Sequence, residues 1–113
     1  VMTVRIVEYF YVIYMNSGSG YIGHSMISKG GIAGTVADLR IILRDALLCG
    51  ATAMICAHNH PSGNLKPSEQ DIRLTRKLKE AGDLMDVKLL DHILLGDQLC
   101  NDFYSFADQG VVF

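Results

Sequence analysis

Residues 51–71 read ATAMICAHNHPSGNLKPSEQD, and the order of elements in this stretch decides the fold class. Ala51 to Ala57 is a short, unbroken apolar run, the pattern of an interior strand buried on both faces. It ends at His58. The segment from His58 to Pro67 holds both prolines of the chain and predicts an irregular loop leaving the strand's C-terminal end. From Ser68 to about Leu84, the residues Leu74, Leu78, Ala81 and Met85 form an inward stripe, and Lys77, Lys79 and Glu80 form a wet side. Strand, loop and amphipathic helix in succession are the repeating unit of an α/β protein.

Upstream, apolar Leu39, Ile42, Leu43, Ala46 and Leu47 fall at helical spacing within 37–49, and Gly50 stands where a helix end takes a left-handed residue. Before that helix, Glu8 to Met15 (EYFYVIYM) is almost wholly aromatic and β-branched, the composition of a covered central strand. Asn16 to Gly20 breaks it, and Tyr21 to Ser28 resumes extended character, so the pair predicts a hairpin. Lys29 to Gly34 reads as a loop. Downstream, Val87 to Leu95 reads as a strand, Gly96-Asp97 as a turn and Leu99 to Phe106 as a weaker last strand. The order β-β-α-β-α-β-β describes a three-layer α-β-α sandwich with a mixed sheet. No repeat, low-complexity tract or linker interrupts it, which predicts one domain over 1–113.

Composition narrows the function classes. The 113 residues are 50% hydrophobic and 19% charged, and 12 acidic against 10 basic side chains leave a formal charge of −2. A protein that grips phosphate backbones needs a positive field, which this balance does not supply. The basic residues Arg73, Arg76, Lys77 and Lys79 alternate with Glu69, Asp71 and Glu80 and read as a solvated helix face. No apolar run reaches the roughly 18 residues of a membrane helix, and no signal-peptide pattern opens the chain, so a cytoplasmic protein is the expectation. Val1 ahead of Met2 reads as the start of an excised or trimmed fragment. Cys49, Cys56 and Cys100 make no Cys-x-x-Cys pair, and the first two lie in apolar stretches where cysteine acts as a small buried hydrophobe.

The chemistry-bearing set is His58, His60 and Asp71. Imidazole and carboxylate are the ligands zinc takes at open catalytic sites, where three protein groups leave a position for water. Two histidines one residue apart share a face while the backbone stays extended, and ten intervening residues suffice to reach a neighbouring helix start. Asp71 has a plainer reading as well: Ser68 followed three residues later by a carboxylate resembles a capping box. On the other side, Asp71, Leu74 and Leu78 lie at i, i+3 and i+7, which turns the carboxylate toward the sheet, where it needs a cation or several donors.

These residues carry a resemblance. The string AHNHPSGNLKPSEQD, with LLDH at 89–92 and YSFAD at 104–108, is similar to the RadC-like branch of the JAB1/MPN/Mov34 (JAMM) metalloprotein family. The family pattern of His-x-His, seven residues, Ser, two residues and Asp is met by His58, His60, Ser68 and Asp71. The resemblance implies a Zn2+ held by His58, His60 and Asp71, with a water activated for attack on a carbonyl. It gives Ser68 the task of stabilising the tetrahedral oxyanion.

Active JAMM members also use an upstream glutamate as general base, and here the strand Tyr21 to Ser28 contains no acid. Aligning Lys29-Gly30 with the family's basic residue and glycine puts Ser25, or nearby His24 or Met26, where the acid belongs. Serine cannot accept a proton at pH 7 as a carboxylate does. Glu8 substitutes only if the strands bring it within reach, and His24 is a further surrogate base or fourth ligand beside its plainer reading as a hydrogen-bonded strand residue. Asp91 and His92 suit a structural or ligand-orienting role, alongside a bland reading as a polar pair on a half-exposed strand. Tyr104 to Asp108 closes the fold. The His-x-Glu and Pro-Cys-x-x-Cys signatures of nucleobase deaminases are absent.

Three function classes follow. The first is a zinc-dependent hydrolase of amide or peptide bonds, with a peptide or protein substrate. The second is a catalytically inert interaction scaffold on the same fold, favoured by the missing glutamate. A DNA-associated role, suggested by the family's historical naming as DNA repair proteins, is the third, and the charge balance gives it little support. A homo-oligomer is compatible with each.

Overall fold

A computed structural model describes residues 8–18, 20–30, 37–60, 65–96 and 102–113, with the backbone alone at 28–30. The elements are β1 (Glu8–Met15), β2 (Tyr21–Gly30), α1 (Leu39–Leu48), β3 (Ala53–Asn59), α2 (Glu69–Leu84), β4 (Lys88–Leu95) and β5 (Phe103–Ser105). The strands form one mixed sheet in the order β2-β1-β3-β4-β5. β1 runs antiparallel to both β2 and β3, β3 and β4 are parallel, and β5 returns antiparallel to β4. The α/β class and the mixed sheet agree with the sequence pattern.

The layering differs from the sequence expectation. The crossover β2-α1-β3 passes over β1, and β3-α2-β4 then continues in the same direction across the sheet. Two crossovers of one hand, travelling the same way, put their helices on the same face. Contacts agree: the Tyr14 hydroxyl reaches the carbonyl of Ile42 on α1, Gly82 on α2 lies against Met54, and Tyr14 and Met54 are cross-strand partners. Among the described residues the protein therefore has two layers instead of three. Phe10, Val12, Tyr14, Met54, Cys56 and Leu89 face the helices and pack with Ile42, Ala46 and Leu78 as the core. Tyr11, Ile13, Ile55 and Ile93 alternate onto the opposite face and are only half-buried.

Local chemistry sets the boundaries. Asn16 closes the β1–β2 hairpin by accepting the backbone N–H groups of Gly18 and Gly20 on its side-chain oxygen. Asp38 caps α1, which starts two residues later than periodicity suggests because the cap must stay extended. Gly50 has φ +71°, the left-handed residue that ends α1, and the Ala51 N–H returns to the Ala46 carbonyl. At Gly82 a β-carbon would lie 2.3 Å from the Val87 carbonyl oxygen, so only glycine lets the end of α2 fold this closely onto the start of β4.

Other expectations shift. β3 runs on through Asn59, so His58 is a strand residue instead of the first residue of a loop. β5 is limited to three residues. Cys56 is buried but Cys49 is exposed at the end of α1, and Met85 is exposed beyond the inward stripe of α2. Cys100 and the 31–34 and 97 loop positions lie outside the described residues. No described helix is long and apolar enough to cross a membrane.

Candidate metal centre

Because β3 ends at Asn59 and α2 starts at Glu69, the C-terminal end of an interior strand faces the first turn of a helix. His58 sits on the helix-facing side of β3, beside Cys56 and Met54 in the alternation, and is 3% exposed. Asp71, two residues into α2, points back toward it. The Nε2 atoms of His58 and His60 are 2.9 Å apart. Asp71 places Oδ1 3.4 Å from His58 Nε2 and Oδ2 3.2 Å from His60 Nε2. The structure thus brings together the three side chains that the sequence singles out.

The two readings of Asp71 are both realised. Ser68 Oγ accepts the Asp71 N–H at 3.0 Å, and the Ser68 N–H donates to Asp71 Oδ2 at 3.0 Å, a complete capping box. The same carboxylate also faces the histidines. Burial alone pushes its pKa up, but hydrogen bonds from His60 and the Ser68 backbone outweigh that and hold it well below the ordinary carboxylate range. Burial lowers the His58 pKa to about 4, so its ring is neutral near pH 7. Ser68 lies at the exposed rim; its oxygen accepts the Asp71 N–H, and its hydroxyl also helps to hold the Asp71 carboxylate in its charged form.

An acid does approach the histidines, from β1 instead of β2. Glu8 Oε1 lies 4.0 Å from His58 Nε2, and Glu8 with His58 and His60 forms a group whose ligand atoms all lie within 4.8 Å of one another. Phe10 is the cross-strand partner of His58, so continuing the antiparallel register by two residues sets Glu8 opposite His60. Desolvation raises the Glu8 pKa, partly offset by His60. The positions suggested on β2 are elsewhere. Ser25 donates to Asp45 of α1 at 2.8 Å, and exposed His24 pairs with the Tyr21 hydroxyl at 2.5 Å. Met26 is exposed as well. The signal for Glu8 was its place in the Glu8, Phe10, Val12, Tyr14 alternation, which points it at the helix side of the sheet.

Behind His58, away from Asp71, lies buried His92, with Nε2 2.9 Å from His58 Nδ1 and Nδ1 2.6 Å from Thr75 Oγ1. Phe106 stacks on its ring at 4.6 Å, and Phe10 meets it edge-on. Asp91 serves the fold instead: its carboxylate accepts from Ser105 Oγ and from the Ala107 N–H, tying down the C-terminal segment. On the opposite sheet face a cavity of about 590 Å³ is walled largely by Tyr9, Tyr11, Ala57, Ile93, Leu95 and Phe103. Its lining is chiefly apolar, with Asp102 at the rim and His58 reaching it from the other face.

Comparison with known proteins now decides the family. The model of the RadC-like JAB domain matches residues 1–111. The chain belongs to the RadC-like JAB domain family. It is 44% identical over 104 residues to a UPF0758 protein of Flavobacterium johnsoniae, covering 92% of this chain and 44% of that one. It is 41% identical over 105 residues to a UPF0758 protein of Porphyromonas gingivalis, covering 93% and 45%. A UPF0758 protein of Salinibacter ruber is 40% identical over 105 residues, covering 93% and 44%. The chain therefore spans less than half the length of these curated relatives. The RadC-like domain here presents a group of side chains suited to a metal, with Glu8 included.

Proposed function

We propose that this RadC-like domain is a metal-dependent hydrolase of amide or peptide bonds, with zinc held by His58, His60 and Asp71. The observation that carries the reading is the triangle of donor atoms. Its sides measure 2.9, 3.2 and 3.4 Å. A tetrahedral zinc with bonds of about 2.0–2.1 Å keeps its ligands about 3.3 Å apart, so these donors match the group in both spacing and chemistry. Two imidazoles and a carboxylate this close are a donor set that suits a cation once the His60 proton has left.

When bound, zinc acidifies water and polarises a carbonyl oxygen. The remaining tasks fall to this chain's own side chains. Glu8, beside the histidines and outside the closest triangle, takes a proton from the attacking water and returns it to the leaving nitrogen as the C–N bond breaks. Its raised pKa suits a group that must both accept and release a proton. Ser68 donates its hydroxyl proton to the developing oxyanion. The products are a carboxylic acid and an amine. With Glu8 supplying the base, the inert-scaffold reading loses the premise that favoured it.

The test is metal analysis of protein purified without added zinc, followed by hydrolysis of a peptide and isopeptide panel. Roughly one zinc per chain, lost in Asp71→Ala, and turnover lost in Glu8→Gln support the reading. Equal zinc content in Asp71→Ala and the parent overturns the ligand assignment, and full zinc without turnover of any substrate returns the domain to the scaffold class.

A further inference from the structure

Thr75, His92 and His58 form a chain of hydrogen bonds whose direction is fixed at one end. Thr75 Oγ1 lies 2.7 Å from the backbone carbonyl oxygen of Asp71, four residues earlier on α2. A carbonyl only accepts, and a hydroxyl has one proton, so Thr75 donates there. At 2.6 Å on its other side, His92 Nδ1 must therefore donate to Thr75. His92 is 1% exposed and lies between the rings of Phe106 and Phe10, an environment in which an uncompensated charge is costly. A neutral ring has one N–H. With that proton on Nδ1, His92 Nε2 is an acceptor, and His58 Nδ1 at 2.9 Å must donate to it.

We infer that Thr75 and His92 are positioning residues that keep the His58 proton on Nδ1, so that its bare Nε2 lone pair is aimed at His60 and Asp71. Only this tautomer can ligate through Nε2. Were the chain reversed, the proton of His58 would stand on Nε2, pointing into the donor triangle, and would have to leave before any cation entered. The relay starts and ends on one residue, since Thr75 anchors to the backbone of Asp71 and His58 faces the side chain of Asp71. Such outer partners are typically worth about 10–100-fold in metal affinity.

The experiment is long-range 1H–15N NMR of histidine-labelled, EDTA-treated protein, with zinc affinity measured separately by competition. The inference rests on the hydrolase reading only for the second measurement. In the parent protein, His58 and His92 are expected as Nδ1–H tautomers. Thr75→Val, which keeps shape and removes the hydroxyl, is expected to move both protons to Nε2 and to weaken zinc binding about 10–100-fold. Thr75→Ser is expected to match the parent. A merely structural role for Thr75 would lower the melting temperature of the valine variant and leave both tautomers as they are, which overturns the inference. An Nε2–H tautomer at His58 in the parent overturns it too, without any variant having to fold. If His58 carries Nδ1–H and zinc fails to bind, the hydrolase reading falls and the relay stands.

Discussion

Glu8 Oε1 stands 4.0 Å from His58 Nε2, although fifty residues separate the two in sequence. The relationship comes from register: Phe10 is opposite His58, and the side-chain alternation of β1 turns Glu8 to the same face two residues earlier. Its half-buried carboxyl is close enough to serve a water at the triangle and outside the shortest contacts. Glu8→Gln keeps size and removes the basic oxygen. The expected outcome is unchanged zinc content with hydrolysis lowered about 10²–10⁴-fold, read by steady-state assay beside metal analysis.

Ser68 and Asp71 share a capping box, so their substitutions separate fold from chemistry. Ser68→Ala removes the oxygen that accepts the Asp71 N–H and is expected to lower stability by about 0.5–2 kcal/mol in urea titrations run with EDTA. Zinc content should stay at the parental level, while turnover falls as the oxyanion donor is lost.

Gly82 marks the tightest approach of α2 to the sheet. Alanine there sets a methyl group 2.3 Å from the Val87 carbonyl, and that neighbour is backbone. Gly82→Ala is expected to cost about 1–3 kcal/mol by overpacking, in spite of alanine's better helix propensity. Thermal unfolding with and without zinc checks it; a rise in melting temperature without zinc would contradict the packing.

Ser25 lies where the sequence alignment looked for an acid, and it works on α1 instead. Its hydroxyl holds the Asp45 carboxyl below its ordinary pKa, with Arg44 adding to the effect. A depressed folded-state pKa contributes stability above the unfolded value of about 3.9, and the contribution is lost as pH falls through the folded value. Ser25→Ala should raise the Asp45 pKa, measurable by carboxyl NMR titration. The stability gap between parent and variant should be constant from pH 5 to 8 and shrink below pH 4.

The parts of this protein that depend on local pattern were legible in its sequence. EYFYVIYM maps onto β1 without a shifted boundary, and the helical stripe after Pro67 predicted α2 because 3.6-residue periodicity and a cap act within a few residues. His58, His60 and Asp71 were found because one short loop joins them. The sequence alone leaves Glu8 conditional because its nearness depends on β1 lying between β2 and β3, a strand order that no short window encodes. The layering was missed for the same kind of reason, since the direction of two crossovers decides it. Nothing in the sequence pattern singles out Thr75, and only the path from Asp71 through His92 gives it a task.

The double duty of Asp71 changes how sequences of this kind can be read. One carboxylate staples the first turn of a helix and also looks into the histidine pair, so a descendant that abandoned catalysis would still have reason to keep it for folding. Glu8, by contrast, belongs to no helix cap: it stands on a strand, with its carboxylate 4.0 Å from His58 Nε2. Of the two acids, the one on β1 is therefore the better witness to a working enzyme.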